Sequence, residues 1–159
     1  MEKTMTVHST FQLDRSFKAT PERVFAAWAD PASKRRWNYT SKSHELLHHE
    51  LDFRVDGGER SAMKLGPGLP VSGMTLTLNS VIEDIVPNQR MVWAYRMAMD
   101  GRTFSTSLVT VELVKTDAGT DLFLTHQGAY FEGADGPEMR KDGWRDLLER
   151  LEQFIIHSS

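Results

Sequence analysis

The chain has 159 residues, a net charge of −3 and no cysteine. This length is typical of one domain that buries a core without crosslinks, so we expect a single domain over residues 1–159. The missing thiols exclude disulfides, thiolate zinc sites and cysteine nucleophiles, and they fit a reducing cytoplasm. Charges are interspersed, and no run reaches the ~20 apolar residues that span a bilayer. We expect a cytoplasmic protein with no nucleic-acid partner and no membrane insertion.

The first third of the chain predicts one strand followed by two short helices. Apolar residues recur between positions 11 and 19 and predict the strand. Thr20–Glu22 is typical of a helix start, because Thr can cap, Pro suits the first turn and Glu favours the positive end of the helix dipole. Asp30–Pro31 repeats the signal and predicts a second short helix that ends near Trp37.

The middle of the chain predicts about six further strands, because apolar and polar residues alternate between turn signals. The turns are expected at Gly57–Gly58, Gly66–Gly68, Pro87–Asn88, Asp100–Gly101 and Asp117–Gly119. The inward-facing residues are predicted to be Leu47, Leu51, Phe53, Val55, Met63, Leu65, Met74, Leu76, Leu78, Ile82, Met91, Trp93, Tyr95, Met97, Met99, Ser105, Ser107, Val109, Val111, Leu113, Leu122, Leu124 and His126.

The C-terminal segment predicts one long amphipathic helix that starts near Gly136–Glu138. Its apolar stripe consists of Trp144, Leu147, Leu148, Leu151, Phe154 and Ile155. Gly143 is unfavourable inside a helix by about 1 kcal/mol relative to Ala. A frayed first turn and close backbone packing are both open as its reason. The segregated strands and helices indicate an α+β fold, in which this helix covers a curved antiparallel sheet.

The inward faces carry unusual bulk, which fits either a packed aromatic core or the lining of a cavity. A long helix laid across a strongly curved sheet leaves a gap at one end, and we expect Ser105, Ser107 and His126 to face it. An apolar cavity with a few polar groups is the usual small-molecule site. The predicted lining is Trp28, Trp37, Phe53, Met63, Met74, Leu76, Trp93, Tyr95, Met97, Ser105, Ser107, His126, Trp144 and Leu148.

The string His44-Glu45-Leu46-Leu47-His48 matches the H-E-x-x-H signature of zinc peptidases. On a helix its two His side chains would lie one turn apart and could share a metal. The alternation that continues to Val55 favours a strand, where residues four apart are about 13 Å distant. We therefore predict no metal site, and we expect His44 and His48 to be exposed.

Other catalytic and cofactor signals are weak. His126 is the only His predicted on an inward strand face, and such residues are usually satisfied core histidines. It is a weak catalytic candidate, and no other catalytic residue is predicted. The glycine pairs match no phosphate-binding loop, and no Ser lies in a nucleophile elbow. We predict no cofactor.

Six segments, taken in order, resemble one known family. They are Thr20–Trp28, Asp30–Pro31 with Trp37, Asp52–Gly58, Ile85–Trp93, Gly119–Gly128 and Gly143–Leu151. Together they are similar to the SRPBCC (START-like) superfamily, in the branch homologous to the C-terminal domain of the Hsp-90 ATPase activator. The resemblance implies a helix-grip (Bet v-like) fold, with a seven-stranded antiparallel sheet on the C-terminal helix and two small helices at one end. It also implies a cavity between sheet and helix.

The fold alone does not name an activity, since related folds host carriers, enzymes and chaperone partners. The preferred hypothesis is binding of a small hydrophobic or amphipathic ligand. The alternatives are a polyketide cyclase- or hydratase-like enzyme in which His126 or Tyr95 moves protons, and a chaperone-associated stress-response protein. A chaperone partner is the less favoured one, because the eukaryotic activator has an additional N-terminal domain for that contact. A homodimer stays open.

Overall fold

A seven-stranded antiparallel sheet forms the framework of the computed structural model, which describes residues 6–68 and 71–158. The spatial order is β1-β7-β6-β5-β4-β3-β2, so the first strand closes one edge beside the last. The strands are β1 (Val7–Phe17), β2 (His44–Asp52), β3 (Gly58–Leu65), β4 (Thr75–Val86), β5 (Arg90–Met99), β6 (Arg102–Lys115) and β7 (Thr120–Tyr130). The predicted fold class and the number of strands are confirmed.

Three helices accompany the sheet: α1 (Pro21–Ala29), α2 (Pro31–Lys34) and α3 (Pro137–His157). The Thr20 side chain caps α1 by accepting from the backbone N–H of Arg23, and Asp30 caps α2 by accepting from Ser33. Both predicted helix starts are therefore confirmed. The chain leaves α2 through a π-helical turn, Arg35–Tyr39. Among the described helices, none combines the length and the apolar character that crossing a membrane requires.

The core lies where α3 and α1 pack on the inner face of the sheet. Leu148 and Leu151 of α3 are buried, and they join inward residues of the central strands. Those strand residues include Ile82, Met91, Val111, Leu122 and Leu124, which are fully buried. The period-two alternation in the sequence therefore predicted the inner face of the central strands correctly.

Strand β2 departs from the predicted alternation because it contains a bulge. The register with β3 shifts between Leu46 and His48, so one extra residue is inserted and the faces exchange. Leu47, expected inside, has 51% of its surface exposed. The His49 side chain is instead fully buried, so the expectation that His126 is the only inward His is wrong. His48 is exposed as expected, whereas His44 is half-buried and bonds to a backbone carbonyl.

Gly143 lies well inside α3, so a frayed first turn does not explain it. A Cβ atom added there would meet no atom within 4 Å beyond the adjoining residues and backbone of its own helix, so the close-packing hypothesis is wrong as well. The predicted turn at Asp100–Gly101 is confirmed, with φ angles of 48° and 84° that suit a tight hairpin.

Candidate functional site

A cavity of about 370 Å³ lies between α3 and the inner face of the sheet. This volume is near the lower end of the roughly 300–1,000 Å³ that small-molecule sites occupy. It is lined by Trp28, Lys34, Asn38, Tyr39, Glu59, Leu78, Ser80, Trp93, Tyr95, Met97, Val109, Asp135, Met139, Arg140, Gly143, Trp144, Asp146, Leu147 and Arg150. A larger depression of about 1010 Å³ lies on the outer side of the sheet, where exposed residues such as Arg96 and Gln127 line it.

Three tryptophans from three different elements form the apolar wall of this cavity. Trp28 comes from α1, Trp93 from β5 and Trp144 from α3. The ring centroids of Trp28 lie 5.5 Å from those of Trp93 and 6.4 Å from those of Trp144. Trp37 supports this wall from behind, with its ring 4.8 Å from that of Trp28 and its indole N–H donated to the Ala27 carbonyl. The wall therefore offers a large, rigid aromatic surface.

One polar end of the cavity is a buried ionic group that we name the Lys34 cluster: Lys34, Tyr39, His49 and Glu59. The Lys34 ammonium lies 2.9 Å from one Glu59 oxygen, and the His49 Nε2 lies 2.9 Å from the other. His49 Nδ1 accepts a hydrogen bond from Arg35, so the neutral ring donates to Glu59 through Nε2. Burial opposes the charge on Glu59, but Lys34 and His49 outweigh it and lower its pKa to about 2.

The π-helical turn explains why Lys34, Asn38 and Tyr39 all face the cavity. A π turn holds more residues than an α turn, so side chains four and five positions apart share one face. Lys34, Asn38 and Tyr39 all line the cavity in this way. Tyr39 is buried against Glu59, and both burial and that negative charge raise the pKa of the Tyr39 hydroxyl well above its usual value.

The other polar end is the Arg140 cluster: Tyr95, Ser105, His126, Asp135 and Arg140. Arg140 binds both carboxylate oxygens of Asp135 at 2.8 Å. It also donates to the hydroxyl oxygens of Tyr95 and Ser105, each at 2.9 Å. The cluster connects the first turn of α3 to the central strands β5, β6 and β7.

The hydrogen bonds of the Arg140 cluster run in one direction. Arg140 can only donate, so the Tyr95 oxygen accepts from it, and the Tyr95 hydroxyl proton points to His126 Nε2 at 2.8 Å. His126 is fully buried and stacked on Phe11, with ring centroids 4.6 Å apart. Burial, followed by the charge of Arg140, lowers the pKa of His126 to about 4. His126 is therefore a neutral hydrogen-bond acceptor at neutral pH.

Five of the predicted site residues line the cavity: Trp28, Trp93, Tyr95, Met97 and Trp144. The remaining nine lie away from its surface, and they are Trp37, Phe53, Met63, Met74, Leu76, Ser105, Ser107, His126 and Leu148. The structure places Ser105 and His126 behind Tyr95 and Arg140, in contact with them and not with the open space.

The other predicted residues are displaced for reasons of geometry. Met63 and Leu76 pair with each other across β3 and β4. The cavity is lined instead by the pair Leu78 and Met97, which lies two residues away along β4. Phe53 packs against Phe25 and Trp93. Trp37 and Leu148 belong to the core, and Ser107 is buried on β6.

Sequence reasoning missed the charged residues, although a signal for two of them was present. Glu59 lies four residues before Met63 on the same strand, so the period of two predicts the same inward face. Arg140 lies four residues before Trp144 on α3, which also predicts a shared face. Both were overlooked because charged residues are almost never fully buried unless they are paired.

The H-E-x-x-H string lies on β2, as its alternation predicted, and not on a helix. Within residues 6–68 and 71–158, no group of three or more His, Cys, Asp or Glu side chains is arranged to hold a metal ion.

The family model described as "Activator of Hsp90 ATPase homolog 1-like protein" matches residues 18–155. The chain belongs to this family. The model spans α1 through nearly all of α3, so it includes every element that lines the cavity. No curated protein matches the chain.

Solved structures of bacterial proteins are similar to this chain over nearly its whole length. The Mll3558 protein of Rhizobium loti is 41% identical, with a TM-score of 0.84 over 94% of this chain and 99% of that one. An uncharacterized protein of Rhizobium leguminosarum is 30% identical, with a TM-score of 0.90 over 99% and 100% of the two chains. An AHSA1-like protein of Aeromonas hydrophila, at 19% identity and a TM-score of 0.67 over 92% of each chain, shares the fold.

Proposed function

We propose that the protein binds a small, largely apolar ligand in the cavity between α3 and the sheet. The observation that carries this proposal is the wall of Trp28, Trp93 and Trp144 with a polar cluster at each end. Burial of apolar surface would supply the affinity, at about 25 cal/mol per Å². The Tyr95 hydroxyl and the Asn38 amide would orient the ligand.

The opening of the cavity lies along one edge of α3. Met139 and Gly143 line the cavity and are exposed, and Trp144 is half-buried between this edge and the interior. Exposed apolar side chains at a cavity rim favour capture of apolar molecules. Trp144 is therefore the residue whose loss should weaken binding with the least damage to the core.

Titration with prodan, an uncharged naphthalene dye that brightens in apolar surroundings, tests the proposal. The wild type should bind the dye, and Trp144→Ala should weaken binding by about tenfold or more, since a large aromatic contact is lost. Phe123→Ala is the matched control, because Phe123 is 42% exposed and does not line the cavity. Equal affinity in wild type and a folded Trp144→Ala variant would contradict the site assignment.

Native mass spectrometry of the protein purified from cells would identify the ligand class directly. A copurifying small molecule should be released on unfolding and be absent from Trp144→Ala preparations.

The Arg140 cluster favours a second candidate, an enzyme that transfers a proton to or from a cavity-bound ligand. Tyr95 lines the cavity, its hydroxyl proton points to neutral His126, and Arg140 would stabilise the phenolate. In such a step the Tyr95 proton moves to His126 Nε2 while the Tyr95 oxygen takes a proton from a carbon next to a ligand carbonyl. The C–H electron pair stays on the ligand as an enolate, and His126 holds the proton as an imidazolium until a proton returns to the carbon by the reverse route.

Exchange of the methyl protons of acetylnaphthalene in heavy water, followed by proton NMR, tests the second candidate. Catalysis should require Tyr95 and His126, so Tyr95→Phe and His126→Gln should each lose it while prodan binding is retained. No acceleration by the wild type over buffer would count against proton transfer and leave ligand binding as the proposal.

A further inference from the structure

The cavity contains two buried cations and two anions, and each cation already has a partner. Lys34 lies 2.9 Å from Glu59, and these side chains are 4% and 7% exposed. Arg140 lies 2.8 Å from Asp135, and these are 6% and 25% exposed. These two ion pairs therefore add no net charge to the lining.

The two cations also present little surface to a ligand, since the side chains of Lys34 and Arg140 are 4% and 6% exposed. Three tryptophan rings cover the Lys34 ammonium, with the nitrogen 4.9 Å from the centroid of Trp93, 5.4 Å from Trp28 and 6.0 Å from Trp37. Arg140 uses four of its five N–H groups on Asp135, Tyr95 and Ser105. An anionic ligand would have to displace one of these partners.

Arg150 is the one lining cation that forms no ion pair within 4 Å among the described residues. It lies at the opening, half-buried, and donates a hydrogen bond to the Thr40 carbonyl. Burial lowers the pKa of Arg150, whereas the charge of Asp146, one turn earlier on α3, raises it. Asp146 is exposed and lines the same edge, so Arg150 already has a counter-charge nearby.

We propose that the cavity selects uncharged ligands over carboxylates and ammonium ions of similar shape. This inference rests on the proposed ligand-binding function. An ion among paired charges would give up its hydration without a new counter-charge, which is costly in a medium of low dielectric constant. An uncharged molecule loses far less hydration and gains the same contact with the cavity wall of Trp28, Trp93 and Trp144.

Isothermal titration calorimetry with three naphthalene derivatives at neutral pH tests the charge preference. The probes are methyl naphthoate, naphthoate and naphthylmethylammonium, which share one ring system and differ in charge. The ester should bind the wild type about tenfold or more tightly than either ion, which corresponds to about 1.4 kcal/mol or more. Arg145→Gln should leave the affinity for the ester unchanged, because Arg145 does not line the cavity.

Each other outcome has a distinct meaning. Either ion binding as tightly as the ester would overturn the inference while leaving ligand binding intact. A naphthoate affinity that falls in Arg150→Gln but not in Arg145→Gln would also overturn it, because the opening would then hold an anion. Arg145 is the matched control, since it lies on the same helix, is 56% exposed and does not line the cavity. Binding of none of the three probes would refute the proposed function itself.

Discussion

The two polar ends of the cavity use the same kinds of group and differ in how completely they are sealed. In the Lys34 cluster, the side chains of Lys34, His49 and Glu59 are at most 7% exposed, and both Glu59 oxygens are bonded. In the Arg140 cluster, Asp135 is 25% exposed, and His126 Nδ1 has no partner among the described residues.

This difference separates a structural ion pair from a group suited to chemistry. In the Lys34 cluster, Glu59 of β3 pairs with Lys34 of α2 and with His49 of β2. These contacts link α2 to β2 and β3, so their main effect should be on stability. The Arg140 cluster ends in a neutral base and presents the Tyr95 hydroxyl to the cavity, so its effects should include ligand orientation and proton transfer. Four measurements test this contrast and the packing around the cavity.

Replacing Glu59 with Gln should have the largest effect on stability. The change leaves the buried Lys34 ammonium without a counter-charge, which typically costs about 3–5 kcal/mol. Urea unfolding measures the loss, with Glu112→Gln at an exposed position of β6 as the matched control. A loss below about 1 kcal/mol would mean that the pair behaves like a surface ion pair and would remove the contrast.

As the pH falls, the stability that depends on neutral His126 should be lost before the stability that depends on ionised Glu59. The pKa of His126 is about 4 in the fold against an ordinary 6.5, so between these values only the unfolded chain gains the proton. The free energy of unfolding should therefore fall by about 3 kcal/mol as the pH drops through this window. The pKa of Glu59 is about 2 against 4.5, so a second fall should follow between pH 4.5 and 2.

Urea unfolding at a series of pH values would separate the two steps. His126→Gln should abolish the step between pH 6.5 and 4, and His48→Gln should retain it, because the His48 side chain is 57% exposed. An NMR titration of the wild type that found His126 titrating near pH 6.5 would contradict this explanation.

Replacing Arg140 with Met should cost less than the Glu59 change, about 2–3 kcal/mol. Solvent can reach Asp135 and partly hydrate the carboxylate that is left unpaired. Urea unfolding, with the exposed Arg145→Met as control, would measure the loss. Equal losses for Glu59→Gln and Arg140→Met would mean that the two clusters are sealed to the same degree.

Gly143→Ala should have the smallest effect, and of opposite sign. A Cβ at this position meets no neighbour, so the variant should gain about 1 kcal/mol from helix propensity and reduced freedom of the unfolded chain. Thermal unfolding measures the gain. A destabilised variant would contradict the open surroundings of Gly143 at the cavity opening.

The sequence predicted those features that depend on neighbours within a few residues. The cap at Thr20, the hairpin at Asp100–Gly101 and the apolar stripe around Leu148 are all local patterns, and the fold confirms them. The site was less predictable. Five of fourteen predicted residues line the cavity, because a strand pattern gives the inward face but not the level along the strand where open space lies.

Local patterns in the sequence predict the order of the elements, the inner face of the central strands and the long covering helix, since hydrophobic periodicity and capping act over one or two turns. The bulge beside Leu47, the π-helical turn and the burial of Lys34 and Arg140 depend instead on contacts between distant parts of the chain. Lys34 pairs with Glu59, which is 25 residues away along the chain, and Arg140 bonds to Ser105, which is 35 residues away. Whether a charged side chain is buried depends on such distant partners, because burial is tolerated only where the charge is paired.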